Sequence, residues 1–228
     1  MIILSADTSA KTTSVALLEN DHVLADLFMN TGRNHAETLL PTIDGLLVSV
    51  GIEVEQIDLF AFTMGPGSFT GLRVGASTVK GLAFVLRKPV VGVSTLDALA
   101  LNVPDLFRTE VAVCPMMDAG RGEVYTALYV PSEKGLYEKT LKECVVQPDE
   151  FLGSMDGEII FLGDGAQKYR HVIEDFLPGR SFFVPPHLNH VQARAVGLAG
   201  RIKYGAGDIS DILTLAPDYL RASYATKG

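Results

Sequence analysis

The sequence predicts a duplicated α/β fold: two similar halves, each a mixed sheet flanked by helices. Three observations predict it. An order of strand, acid, hairpin, helix, strand, glycine turn and helix runs through the first half and returns in the second. The opening strand of each half closes on an acid, Asp7 in one and Asp118 in the other. Of 228 residues, 47% are hydrophobic and 20% charged, ample for a core and ordinary for a globular chain. The join falls near residues 103–110, giving subdomains 1–106 and 107–228, with the last helix packing back on the first half.

Met1 to Asp7 is a short apolar run ending in an acid, the pattern of a buried strand. Ser14–Leu18 and Val23–Met29 follow as two more strands, with a hairpin turn between them. Asn34, with Glu37 three residues on, opens a helix through a capping box. Leu39, Leu40, Ile43, Leu46, Leu47 and Val50 then recur at helical spacing. Pro41 lies beyond the first turn, so a kink or a lost hydrogen bond is expected there. Asp58–Met64 is a fourth strand. A glycine turn follows, and residues 69–86 form a second helix. Residues 89–94 are a fifth strand, and Thr95–Asn102 a short helix.

In the second half Val111–Asp118 is the opening strand, with Glu123–Val130 and Glu138–Val146 after it. Pro148–Met155 is a short helix. Ile159–Gly163 is a strand that enters a second glycine turn, Gly163-Asp164-Gly165-Ala166, and a helix runs on to Phe176. Residues 181–186 are extended, and residues 191–206 carry an amphipathic helix.

A formal charge of −8 makes this chain by itself a poor nucleic-acid binder, because phosphate affinity needs clustered Lys and Arg. Cys114 and Cys144 have no CxxC spacing and read as reduced thiols. The N-terminus lacks the basic start and apolar core of a signal peptide, and no apolar run approaches the roughly 20 residues of a membrane span. A cytoplasmic protein is expected.

The turn Gly65-Pro66-Gly67-Ser68-Phe69-Thr70-Gly71 invites two enzymatic readings, and its spacing meets neither. A phosphate-binding P-loop needs four residues between its glycines, then Lys and Ser or Thr; counted from Gly65 or Gly67, Thr70 or Leu72 stands where the second glycine should, and no lysine follows. A nucleophile elbow needs glycine two before and two after Ser68, where Pro66 and Thr70 stand. Ser68 is instead placed to cap the helix, whose N-terminus can also attract an anion. Gly71 and Gly75 inside the helix cost roughly 1 kcal/mol each against alanine. With Thr78 they make a small-residue stripe at i, i+4, i+7. Such a stripe lets an element approach closely, either within the same fold or from another chain.

The stretches "ILSADTS", "GPGSFTGLRVG", "KGLAF", "GVSTLDALA", "DAGRGEVYTALY" and "PDYLR" together resemble the TsaB (YeaZ) family of bacterial tRNA threonylcarbamoyladenosine biosynthesis. The likeness is dense in the first half and scattered in the second. It implies a duplicated actin-like ATPase (ASKHA) fold and a chain that is no enzyme by itself. The implied role is that of a non-catalytic partner of TsaD, which transfers threonylcarbamoyl to adenosine 37 of ANN-decoding tRNAs. TsaE joins the pair, tRNA is reached only through the complex, and ATP or ADP sits at a shared interface. The resemblance also implies a partner face on the first two helices, assigned here to Leu39, Leu40, Ile43, Leu47, Gly71, Gly75, Thr78 and Leu82, which would also serve a homodimer.

Actin-like ATPases hold phosphates with two acid-bearing hairpins and a glycine turn. The matching places here are Asp7, Thr8, Ser9, Asp118, Gly163 and Gly165, a vestigial phosphate site. The first hairpin has no glycine where backbone must approach phosphate. The second keeps Gly120 and Gly122 but sets Arg121 and Glu123 beside them. Where TsaD relatives carry a metal-binding His-x-x-x-His, this chain has Thr95 and Leu99, and leucine ligates no metal. His187 and His190 read as a surface loop, and His35 as flanking the first helix. No catalytic residue, resident cofactor or metal is therefore expected. A stand-alone actin-like ATPase or small-molecule kinase is the main alternative. A glycoprotease-like peptidase is weaker, since no HExxH exists.

Overall fold

The computed structural model describes residues 1–103, 111–131 and 137–220, and the chain divides into two compact units. The first opens with β1 (Ile2–Asp7), β2 (Thr13–Glu19) and β3 (His22–Met29), joined antiparallel. Helix α1 (His35–Val50) follows, then β4 (Leu59–Gly65), α2 (Phe69–Leu86), β5 (Val90–Ser94) and α3 (Thr95–Ala100). The sheet order is β3-β2-β1-β4-β5, with β4 and β5 parallel to β1.

Asn34 caps α1 by accepting from the Ala36 N–H at 3.1 Å. Glu37 meets the Asn34 side-chain amide, not its backbone N–H, so the reciprocal capping box is incomplete. The helix runs unbroken through Pro41, which withholds only the N–H that would reach the Glu37 carbonyl. Leu39, Ile43, Leu46 and Leu47 from α1 and Ala76, Val79 and Ala83 from α2 close a core over Leu4, Leu17, Phe60 and Phe62 of the sheet.

The second unit repeats the order. It contains β6 (Ala112–Gly120), β7 (Glu123–Pro131), β8 (Tyr137–Val146), α4 (Pro148–Leu152), β9 (Ile159–Leu162), α5 (Asp164–Lys168), α6 (Arg170–Phe176) and β10 (Ser181–Phe183). Its sheet runs β10-β9-β6-β7-β8, so β6 stands where β1 does and β9 where β4 does. The helix expected up to Phe176 is two, broken at Tyr169 by its φ of −103°. Cys114, Met116, Phe151, Phe161, Ala166 and Ile173 form the core.

Helix α7 (Ala193–Gly205) returns to the first unit and covers the face of its sheet opposite α1 and α2. The approach is close because Gly197 and Gly200 meet the sheet: a Cβ on Gly200 would stand 2.6 Å from that of Ala61. Two strand serines hold its first residue, Ser14 Oγ accepting from the Ala193 N–H at 2.9 Å and Ser5 Oγ donating to the Ala193 carbonyl at 2.7 Å. The chain then runs along α2, where Lys80 donates to the Leu215 carbonyl and Arg73 to the Tyr219 hydroxyl at 3.1 Å. The partition into 1–106 and 107–228 is thereby corrected. The first unit takes residues 1–98 and 191–219, the second 99–190; residue 106 itself lies outside the described residues.

Candidate functional site

Strand β1 delivers Asp7 to the mouth of the β1–β2 hairpin, fully buried. One carboxylate oxygen, Oδ1, accepts from the Ser9 N–H at 3.1 Å and the Thr63 hydroxyl at 2.7 Å. The other, Oδ2, makes no hydrogen bond among the described residues, nor does Ser9 Oγ. Burial pushes the Asp7 carboxyl above its ordinary range; hydrogen bonds from Ser9 and Thr63, and the charge of His35, oppose it in part.

The glycine turn lies directly on this hairpin. The Ser68 N–H donates to the Ser9 carbonyl at 2.7 Å, and Thr8 Oγ1 donates to the Gly71 carbonyl at 2.8 Å. A Cβ on Gly67 would collide with the Ser9 carbonyl, and one on Gly71 with the Thr8 carbonyl; on Gly75 it would stand 2.5 Å from Thr8 Oγ1. Ser68 caps α2 as its position suggested, accepting from the Gly71 N–H at 3.3 Å. The glycines therefore answer to Thr8 and Ser9. His35 adds a tie, its ring nitrogens 2.8 Å from Thr13 Oγ1 and 2.9 Å from the Ala10 carbonyl.

In the second unit Asp118 ends up exposed at the β6–β7 hairpin. Its Oδ1 accepts from the Gly120 N–H at 3.0 Å, and Lys168 Nζ reaches both its oxygens, at 2.9 and 2.8 Å. The Asp118 N–H donates to Asp164 Oδ1 at 3.0 Å, and the Gly163 N–H to Asn189 Oδ1 at 2.8 Å. Gly163 and Gly165 are glycine because a side chain on either would meet the backbone of Met116 and Met117. Neither hairpin fits a metal-bound phosphate. In one unit the hairpin's backbone is packed against α2, and in the other the acid's oxygens already hold an ammonium.

Thr95 and Leu99 are both buried, at the start and near the end of α3. Among the described residues no three His, Cys, Asp or Glu side chains gather as a metal set. Cys114 on β6 and Cys144 on β8 have β7 between them, about 10 Å at ordinary strand spacing and too far for a disulfide. Burial pushes the Cys114 thiol up to about 12.

The partner-face assignment needs correction. Leu39, Ile43 and Leu47 are core residues, Gly71 and Gly75 are covered by Thr8, and Thr78 and Leu82 are half-buried. Only Leu40 of that set is exposed, at 52%; the other open apolar positions on these helices are Val48 at 74%, Phe84 at 62% and Val85 at 78%. Between them lie Gly45 and Gly81, where an added Cβ would meet nothing within 4 Å. Stepping each helix at 100° per residue would have found them: Val48 and Gly45 fall off the arc of Leu39, Ile43 and Leu46, as Val85 and Gly81 fall off that of Leu72 and Val79.

Residues 29–227 match the family described as TsaD, tRNA N6-adenosine threonylcarbamoyltransferase. Over 99% of its length the chain is 32% identical to the "tRNA threonylcarbamoyladenosine biosynthesis protein TsaB" of Bacillus subtilis, covering 96% of that protein. The chain belongs to the TsaB family. The Haemophilus influenzae TsaB is also 32% identical, with 97% of this chain and 94% of that protein covered. The crystal structure of "YeaZ from Pseudomonas aeruginosa" superposes with a TM-score of 0.79 at 29% identity, covering 96% of this chain and 99% of that one. An archaeal actin homologue, Ta0583, superposes at a TM-score of 0.50 with 9% identity, a likeness of fold. The TsaB fold is thus a duplicated actin-like one. A threonylcarbamoyltransferase of Syntrophobacter fumaroxidans, 32% identical, covers only 57% of this chain and 42% of its own length. The end-to-end likeness is to TsaB.

Proposed function

We propose that this chain is a non-catalytic scaffold and activator subunit for formation of N6-threonylcarbamoyladenosine on tRNA. It pairs with TsaD, the pair is joined by TsaE, and tRNA is engaged only through that assembly, in the cytoplasm. Any ATP or ADP is held where the subunits meet, and free chain pairs with itself through the same face. The near-full-length likeness to proteins named for this pathway carries the reading. Two features of the chain support it. The phosphate hairpins are filled from within, which disfavours a stand-alone ATPase or kinase. The exposed face of α1 and α2 offers Leu40, Val48, Phe84 and Val85 around two unobstructed glycines. Interior helical glycines cost about 1 kcal/mol each, which a close-packing partner offsets.

The test is Gly81→Leu with Val85→Glu, mixed with purified TsaD and read by size-exclusion chromatography. Both positions are open, so the variant is expected to keep the wild-type melting temperature while losing the heterodimer. A folded variant that binds TsaD normally would place the contact elsewhere. Wild-type chain that forms no complex with TsaD and hydrolyses Mg-ATP alone would replace the scaffold with a stand-alone ATPase.

A further inference from the structure

Resting on the reading that TsaD covers α1 and α2, we propose that the segment after α7, residues 206–219, is a third element of that partner face. It presents Ile209 and Leu213 beside the open flank of α2. Three contacts fix the path of this strap. On β5 the Val90 carbonyl accepts from the Ser210 N–H, and Ser210 Oγ accepts from the Gly92 N–H, both at 3.1 Å. The Leu215 carbonyl accepts from Lys80. The Tyr219 hydroxyl accepts from Arg73 at 3.1 Å, and its ring lies on Phe69 with centroids 4.7 Å apart. The strap therefore runs antiparallel to α2, and Leu213 falls between the levels of Lys80 and Val90. Phe84 stands on that side of α2, one turn beyond Lys80.

The strap is seated firmly. Ile212 and Leu215 pack against the core of the first unit, and the Asp218 N–H donates to the Met64 carbonyl at 2.7 Å. A side chain on Gly65 would collide with the Asp218 carbonyl, so the glycine turn is shaped to admit this segment. From that fixed base Ile209 and Leu213 face water, 50% and 78% exposed. A lone exposed leucine carries no meaning, but these two extend the apolar run of Phe84 and Val85. The four open side chains of the helices amount to roughly 300 Å² of apolar surface. A standard interface covers about 800 Å² per partner, of which about 450 Å² is apolar. The two strap residues supply most of the difference.

The experiment measures the affinity of the full chain for purified TsaD by titration calorimetry, with Gly81→Leu and Val85→Glu together as the helix-face reference. Leu213→Glu should melt with wild type, since the side chain is open. It should bind TsaD about tenfold more weakly, because its carboxylate would be buried against an apolar surface. Ile209→Glu with Leu213→Glu should weaken binding further, and Leu213→Met should bind as wild type. Should a charged variant melt below wild type, Leu213→Ser takes its place, with a several-fold loss expected. A folded Leu213→Glu that binds TsaD as wild type does, while the helix-face variant has lost the complex, overturns the strap contact and leaves the helix face standing. A helix-face variant that binds normally overturns the helix-face reading and the strap contact together.

Discussion

Asp7 and Asp118 stand at the same station of two sheets with the same strand order, and their surroundings differ in kind. Asp7 is sealed under the glycine turn with one oxygen hydrogen-bonded and the other making no hydrogen bond among the described residues. Asp118 sits exposed with both oxygens on a lysine. A buried carboxylate without a cation is costly, and the fold answers by favouring its protonated form. A pair at the surface costs and contributes little, because water screens it. Repeated topology therefore fixes where an acid stands and leaves its energetics to the neighbours. In the first unit those neighbours are Thr8, Ser9 and Thr63; in the second, Lys168 and Asp164.

Substitutions can break this contrast at points of decreasing effect. Gly71→Ala should be the most damaging, since the new Cβ meets the Thr8 carbonyl and neither backbone yields easily; a loss of about 3 kcal/mol is expected in urea unfolding. A wild-type midpoint would mean that the turn does not clamp the hairpin. Thr63→Val comes next. It removes a donor from a carboxylate already short of one, costing about 2 kcal/mol, and no loss at pH 8 would place the support of Asp7 elsewhere.

Asp7→Asn should act in the opposite direction. Because the folded-state value of Asp7 is raised above its ordinary 3.8, the stability tied to it is fully present below that value and is lost as pH rises through the raised one. The amide avoids that loss, so the variant should melt above wild type at pH 8, with the gap closing as pH falls toward 4. A gap independent of pH would show that the carboxyl does not titrate as burial dictates. The smallest effect belongs to Lys168→Met, whose melting temperature at neutral pH should match wild type. A clear loss there would make the second hairpin as dependent on its acid as the first.

Most of the architecture is legible from local pattern. Apolar runs that end at Asp7 and Asp118, the Asn34 and Ser68 caps and the Leu39-Ile43-Leu46 spacing each report on contacts a few residues away, and they place the sheets and helices closely. The site is less legible because its decisive contacts are distant in sequence. Nothing near Gly71 and Gly75 in the chain names Thr8 as the group they accommodate, so a stripe of small residues reads equally well as an outer face. Lys168 likewise meets its acid across 50 positions. Gly45 and Gly81, the interior glycines of α1 and α2 with open space, are distinguishable only after each helix is divided into a core arc and the rest. The return of the last helix to the first half is expected from the sequence, but not the contacts that fix it: Ser5 and Ser14 are unremarkable strand residues until Ala193 arrives.

That return bears on the order of synthesis. Nearly all of the second unit, residues 99–190, lies as an insertion between two pieces of the first. A growing chain has therefore emitted all of that insertion before the helix that covers the back of the first sheet exists. Until then, Leu18, Ala61 and the two serines face whatever surrounds the ribosome. The unit that begins first is finished last, and its early strands wait for about a hundred residues, several seconds at ordinary elongation rates, before they are covered.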